Sequence, residues 1–341
     1  MQRKILFVIR GKLGDSLIAH AAVRRYVEAF PWDEVTLLVR RDYARLIKGE
    51  TGFRLIPFGS RLEMVLRLLL LAALERRFDV LAVLWGFGPP MRLIARLVRA
   101  QRKIYLDGRF PDLYPQWPRL GAAATLVDTA AEVIRCFEPA FVKPASLCIE
   151  SLTRARPGGA DVAVVPLANE LRRNFDGAML DGLLAEVRRK HPGARIRVLV
   201  TPSDRGAMEL LQRELPAGVV FTRFSRLAQI LEQYRDIAAW YGTDTGLYHL
   251  AAAMGIPATV FFGPTQPWKI VMPEQRQVTW VRLKVLGDAH CDVTDCARPL
   301  CVEQAVATYC SSKALTPISA TPPACPLRGH TALEEINVRT T

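Results

Sequence analysis

Residues 4–30 read KILFVIRGKLGDSLIAHAAVRRYVEAF, and the fold class follows from them. Lys4–Ile9 is an apolar run rich in branched and aromatic side chains, the pattern of a strand covered on both faces. Gly11 and Gly14 mark a short loop. Residues 15–30 then place Leu17, Ala21, Val23 and Val27 on one helical stripe. The same alternation continues along the chain. Strands are expected at 34–39, 53–57 and 79–84, and helices at 43–48, 62–77, 91–99 and 125–137. Strands separated by helices of this length predict βαβ units and a parallel sheet.

Residues 139–159 carry the Pro/Gly punctuation of a linker, after which the alternation restarts. Strands are expected at 161–167, 196–200, 218–221, 237–241 and 258–262. Helices are expected at 177–190, 205–215, 227–234 and 246–254. The reading is an α/β chain with two Rossmann-like domains, residues 1–145 and 160–285, followed by a cysteine-rich tail over 286–341. In open sheets of this kind ligands sit beyond the carboxyl ends of the strands, so those loops are where function is expected.

Composition agrees with this. Of 341 residues, 50% are hydrophobic and 23% charged, which excludes disorder as the main state. No apolar run reaches the roughly 18 residues that span a bilayer. The run at 5–9 is shorter than a signal-peptide core of about 7–15 residues, so a cytoplasmic protein is expected. The helix at 62–77 is apolar around most of its circumference; packing is the expected reading and lying on a membrane the other. Lys+Arg exceed Asp+Glu by 46 to 33, a net charge of +13 that favours anionic partners. The charge is scattered, with no basic-aromatic module, which argues against a nucleic-acid-binding protein.

Two phosphate motifs are excluded. Gly11-Lys12 lacks the upstream glycine and the Ser/Thr of a P-loop, and Gly86-Phe87-Gly88 lacks the third glycine of a dinucleotide fingerprint. The loop Arg10–Asp15 is more telling. Its glycines allow sharp turns, and Asp15 falls in the first helical turn, as a helix cap or as a carboxylate for general-base work. In Gly242-Thr243-Asp244-Thr245-Gly246, small residues at a strand-to-helix junction leave backbone amides for an anion. His249 is one turn further, on the face of Thr245.

RGKLGDSLIAHAAVRRY resembles the opening signature of glycosyltransferase family 9, the heptosyltransferases. GTDTGLYHLAAAMGIPATVFFGPTQP resembles that family's donor-loop block almost position for position. The resemblance implies the GT-B fold, with a donor cleft between two Rossmann-like domains. It implies inverting transfer from a nucleotide-diphospho-sugar, ADP-heptose in lipopolysaccharide assembly, with no cofactor required for catalysis. On matching positions Asp15 is the implied general base. Lys12, Gly14, Thr243, Asp244, Thr245, Gly246 and His249 are implied substrate contacts. The implied cation facing the diphosphate is Arg173, with Arg172 as its rival; Lys269 could add to it. The implied acceptor is an anionic glycolipid, glycan or protein, reached in peripheral contact with the inner membrane. Val83-Leu84-Trp85-Gly86 departs from the family's acidic-Leu-Gln-Gly segment, and Lys12 replaces a small residue, so the acceptor side differs. A sugar-nucleotide epimerase of the same fold is the alternative.

The tail holds Cys291, Cys296, Cys301, Cys310 and Cys325, none in a C-x-x-C pair. Two readings stay open. The first four hold a structural iron or zinc, with His290 and His330 as further ligands, or they are free thiols or a partial disulfide.

Overall fold

The computed structural model describes residues 2–74, 77–120, 124–149, 152–153, 159–201, 206–263, 265–272, 274–275, 277–283, 300–311 and 336–340. The chain divides into two units, Met1–Arg154 and Ala155–Thr341.

The first unit runs β1 (Lys4–Ile9), α1 (Leu13–Ala29), β2 (Glu34–Arg40), α2 (Arg41–Leu46) and β3 (Phe53–Phe58). It continues through α3 (Arg61–Leu74), β4 (Phe78–Trp85), α4 (Pro89–Leu97), β5 (Ala100–Ile104) and α5 (Leu126–Arg135). The sheet order is β3-β2-β1-β4-β5, all parallel. Ile5–Ile9 of β1 are buried, as expected of a central strand with helices over both faces. The sequence did not announce β5: its residues AQRKI lack an apolar run, because a strand at the sheet edge buries little. The chain order reverses between β1 and β4. Here the register shifts between Val8 and Ile9, so that Ile9 stands opposite Trp85.

Helix α3 meets its expectation on one face only. Met64, Leu68 and Leu71 are buried in the unit, whereas Leu62, Leu66, Leu69, Leu70 and Leu74 are exposed. The packed reading accounts for half of this helix.

The second unit runs β6 (Asp161–Val165), a 3-10 turn (Leu171–Arg173), α6 (Gly177–Lys190), β7 (Ile196–Val200), α7 (Ala207–Leu211) and β8 (Val219–Arg223). Then come α8 (Leu227–Arg235), β9 (Ile237–Thr243), α9 (Gly246–Ala253), β10 (Ala258–Phe261) and a second 3-10 turn (Pro267–Lys269). Last are β11 (Val278–Leu283), α10 (Leu300–Ser311) and β12 (Ile336–Thr340). The order is β12-β11-β10-β9-β6-β7-β8. All neighbours pair in parallel except β12, which is antiparallel to β11. The switch point lies between β6 and β9. Helix α9 ends in a left-handed Gly255 (φ 71°), and the Ile256 amide donates back to the Ala251 carbonyl at 2.9 Å.

The segment read as a tail contributes to this unit. Helix α10 packs on α6, burying Val302, Ala305 and Val306 with Leu183, Leu184 and Val187. Cys301 and Cys310 pack against the same core. They are nine residues apart on one helix, roughly 13.5 Å along the axis and half a turn around it. Two thiols so placed do not ligate one ion, which corrects the four-cysteine set. Burial pushes the Cys310 thiol up to about 11, an inert value. Cys291, Cys296, Cys325, His290 and His330 lie outside the described residues. Among the described residues no His/Cys/Asp/Glu group could hold a metal ion.

Candidate functional site

Each unit gathers polar groups at its own switch point, beyond the carboxyl ends of its strands. In the first unit, β1 runs into Arg10, whose amide donates to the Trp85 carbonyl of β4 at 2.7 Å. Gly11 must be glycine: a Cβ there would stand 2.5 Å from Trp85 Cδ1 and 2.8 Å from Asp15 Cβ. The chain can then enter α1, where Asp15 occupies the third helical position, N3. Its Oδ2 accepts the Lys12 amide at 3.3 Å, half of a capping box. Asp15 therefore caps the helix and faces an opening at the same time.

That opening is a pocket of about 500 Å³. Arg10, Lys12, Asp15, Arg40, Arg61 and Trp85 supply its polar and aromatic walls. Four cations surround one carboxylate. Burial, then the charges of Arg61 and Arg40, lowers the Arg10 pKa. A pocket so charged suits an anionic group. Gly14 is buried behind it, and Lys12 is exposed at its rim. Arg40 and Arg61 were not singled out in the sequence. Both lie at or just past the end of a strand, where the carboxyl-edge rule alone would have found them.

In the second unit the 3-10 turn after β6 and the loop after β9 meet. Arg173 Nη1 lies 3.1 Å from Asp244 Oδ2 and also donates to the Asp244 carbonyl at 3.3 Å. The Thr243 hydroxyl donates to the Arg173 carbonyl, so each strand end ties the other. Asp244 is 3% exposed. Burial raises its pKa, against the pull of Arg173 and of a hydrogen bond from Thr265. Arg172 turns instead to Glu170, its Nε donating at 2.8 Å. Thus Arg173 reaches the donor-type loop and Arg172 pairs one step away.

Helix α9 begins beside this pair. The Thr245 side chain makes no capping bond, and Thr245 and Gly246 are half-buried, so first-turn amides face an accessible edge. His249 stacks on Tyr248 with ring centroids 3.9 Å apart. Burial and Arg173 bring His249 down to about 3, so the ring is neutral at physiological pH. Arg173 Nε, Asp244 Oδ2, Tyr248 OH and His249 Nδ1 are all buried without a hydrogen-bond partner among the described residues. The 3.1 Å Arg173–Asp244 contact is an ion pair whose angles miss those of a hydrogen bond. The Asp244 oxygen is an acceptor paired to Arg173; the unsatisfied donors beside it, Arg173 Nε and the Tyr248 hydroxyl, together with the first-turn amides are the chemistry of an anion site. Tyr248 and Thr265 were missed as site residues because only the folded loop turns them toward Asp244. Lys269 lies half-buried on the turn after β10.

Two Rossmann-like units with polar loops at their switch points make up an α/β fold of the GT-B kind. Residues 190–300 match the model of glycosyltransferase family 9 (heptosyltransferase). No curated protein matches the chain. Among solved structures, E. coli heptosyltransferase WaaC with ADP superposes with a TM-score of 0.65 at 19% identity, over 90% of this chain and 98% of that one. A family 9 glycosyl transferase from Veillonella parvula DSM 2008 gives 0.65 at 13% identity, covering 82% and 85%. E. coli ADP-heptose lps heptosyltransferase II gives 0.63 at 15%, covering 89% and 98%. The family model covers about a third of the chain, and the solved structures share its fold.

Proposed function

We propose that this protein moves a heptose from ADP-heptose onto an acceptor hydroxyl with inversion, Asp15 acting as general base. The observation that carries the reading is the loop 243–249, where a buried Arg173–Asp244 pair adjoins the N-terminus of α9. That loop lies inside the segment matched by the family model. Breaking the bond from the anomeric carbon to a diphosphate builds negative charge on the leaving group. Arg173, the amides at 245–247 and Lys269 supply fixed positive charge there, so the proposed reaction needs no metal. Asp244 holds Arg173 in place, and neutral His249 offers a hydrogen bond without competing for the phosphate.

The acceptor half rests on the pocket around Asp15. In-line attack requires a base on the acceptor oxygen, and the half-buried Asp15 carboxylate is the basic group in that pocket. Arg10, Lys12, Arg40 and Arg61 would neutralise an anionic acceptor: a glycolipid, glycan or protein bearing phosphate or carboxylate. Because two of the similar structures are E. coli heptosyltransferases, one of them named for lps, a lipopolysaccharide-type acceptor is the first to try. The reading places the enzyme in the cytoplasm; among the described residues no helix is long and apolar enough to cross a membrane.

Thermal unfolding against ADP-, GDP- and UDP-sugars tests the donor. An ADP-sugar at about 100 Kd should stabilise by about 2.7 kcal/mol. Stabilisation by a UDP-sugar alone would overturn the ADP assignment. Donor binding with sugar isomerisation and no transfer to any acceptor would make the protein an epimerase.

A further inference from the structure

Helix α3 has two apolar faces, and among the described residues only one of them has a partner. At 100° per residue, Met64, Leu68 and Leu71 fall together on the face turned into the unit, all at most 4% exposed. Leu62, Leu66, Leu69, Leu70 and Leu74 fall on the opposite face, between 48% and 71% exposed. Scattered surface leucines are ordinary; five on one stripe of a single helix are an exposed apolar patch. The surroundings are cationic. Arg67 flanks the stripe, Arg61 begins the helix, and Arg77 follows it, all exposed. Helix α4 packs beside α3 and exposes Arg92 and Arg96. Among the described residues of α3 and α4 the one carboxylate is Glu63, which is paired with Arg41 and accepts the Gly59 amide at 2.7 Å.

We infer that α3 is a docking element that seats this protein on an anionic lipid bilayer, its leucine stripe at the level of the upper acyl chains. A helix with an apolar face and a basic rim is the form that lies in a membrane interface. The charge selects this occupant over a second copy of the chain. Self-pairing through the stripe would bring the Arg67 side chains of both copies together, whereas an anionic surface neutralises them. The pocket around Asp15 is lined by Arg61 and Met64 of this same helix, so the seat adjoins it. The inference does not depend on the proposed donor or acceptor; it concerns where the protein sits.

Each half-exposed leucine that enters the acyl region should add about tenfold to partitioning, and each arginine near the surface about fivefold. Flotation of the full chain with phosphatidylcholine vesicles, with and without phosphatidylglycerol, measures this. Wild type should float with the anionic vesicles, and high salt should weaken it. The variant Leu66→Gln/Leu70→Gln should lose on the order of 100-fold in partitioning while keeping its melting temperature, since both side chains face solvent. Arg67→Gln should lose about fivefold and show a shallower salt dependence. Equal flotation of wild type and the leucine variant would overturn the inference, as would a wild type that ignores anionic vesicles. A wild type that sediments as a dimer, becomes monomeric in the leucine variant and binds no vesicles would assign the stripe to self-association instead.

Discussion

Replacing Arg173 by methionine keeps most of the side-chain volume and removes the cation facing Asp244. The Asp244 side chain is 5% exposed and that of Arg173 23%. Removing one partner of a buried pair costs about 3–5 kcal/mol, because the other charge stays buried uncompensated. The partial exposure of Arg173 puts the expectation near 3 kcal/mol. For a unit of this size that is a fall of about 6–12 °C in melting temperature. Asp244→Asn removes the buried charge, so Arg173→Met/Asp244→Asn should recover most of the loss. Calorimetry of wild type, both single variants and the double variant gives the coupling. The pH dependence supplies a sign. Burial already raises the Asp244 pKa, and losing Arg173 raises it further. A carboxylate whose folded pKa exceeds its unfolded one costs stability at neutral pH; the cost starts to shrink as pH falls through the folded value and is gone at the unfolded one. The Arg173→Met deficit should therefore shrink on acidification. Effects that add within about 0.5 kcal/mol, with a deficit independent of pH, would show that the pair does not stabilise the loop.

Asp15→Asn keeps the hydrogen bond to Lys12 but not the basicity, and should lower turnover roughly 10²–10⁴-fold with donor affinity unchanged. Wild-type turnover in single-turnover assays would leave Asp15 as a helix cap. His20 and His249 are both buried and brought down to about 3 by burial, then by Arg24 and Arg173 respectively. Below an unfolded value of about 6.5 the unfolded chain binds these protons and the folded one does not. Stability should thus fall as pH drops, by about 2 kcal/mol per histidine near pH 5. Urea titrations at neutral pH and at pH 5 on His20→Leu and wild type should show the variant losing about 2 kcal/mol less; an identical loss would mean that His20 is protonated without penalty.

Periodicity alone determined the alternation of strands and helices, the two Rossmann-like halves and the loops at 10–15 and 242–249. Those are local properties, written in runs such as Lys4–Ile9 and in the glycines that follow them. Asp15, Asp244 and His249 were legible as candidates for the same reason, since each stands at a strand end or in the first turn beyond one; Arg173 was offered only by the family resemblance, with Arg172 as its rival. What the sequence left open is set by neighbours distant along the chain. Arg173 rather than Arg172 meets Asp244 because β6 and β9, more than 70 residues apart in their loops, are adjacent at the switch point. Arg40 and Arg61 join Asp15 only because β2 lies beside β1 and β3 beside β2, with all three strands parallel. Helix α10 was read as tail because its cysteines suggested ligands, and only packing against α6 shows that its apolar positions belong to the core. The two faces of α3 share one composition. Sequence showed a helix apolar nearly all round; tertiary packing decided which leucines were covered and which were left facing solvent, because burial is a property of what lies opposite a residue.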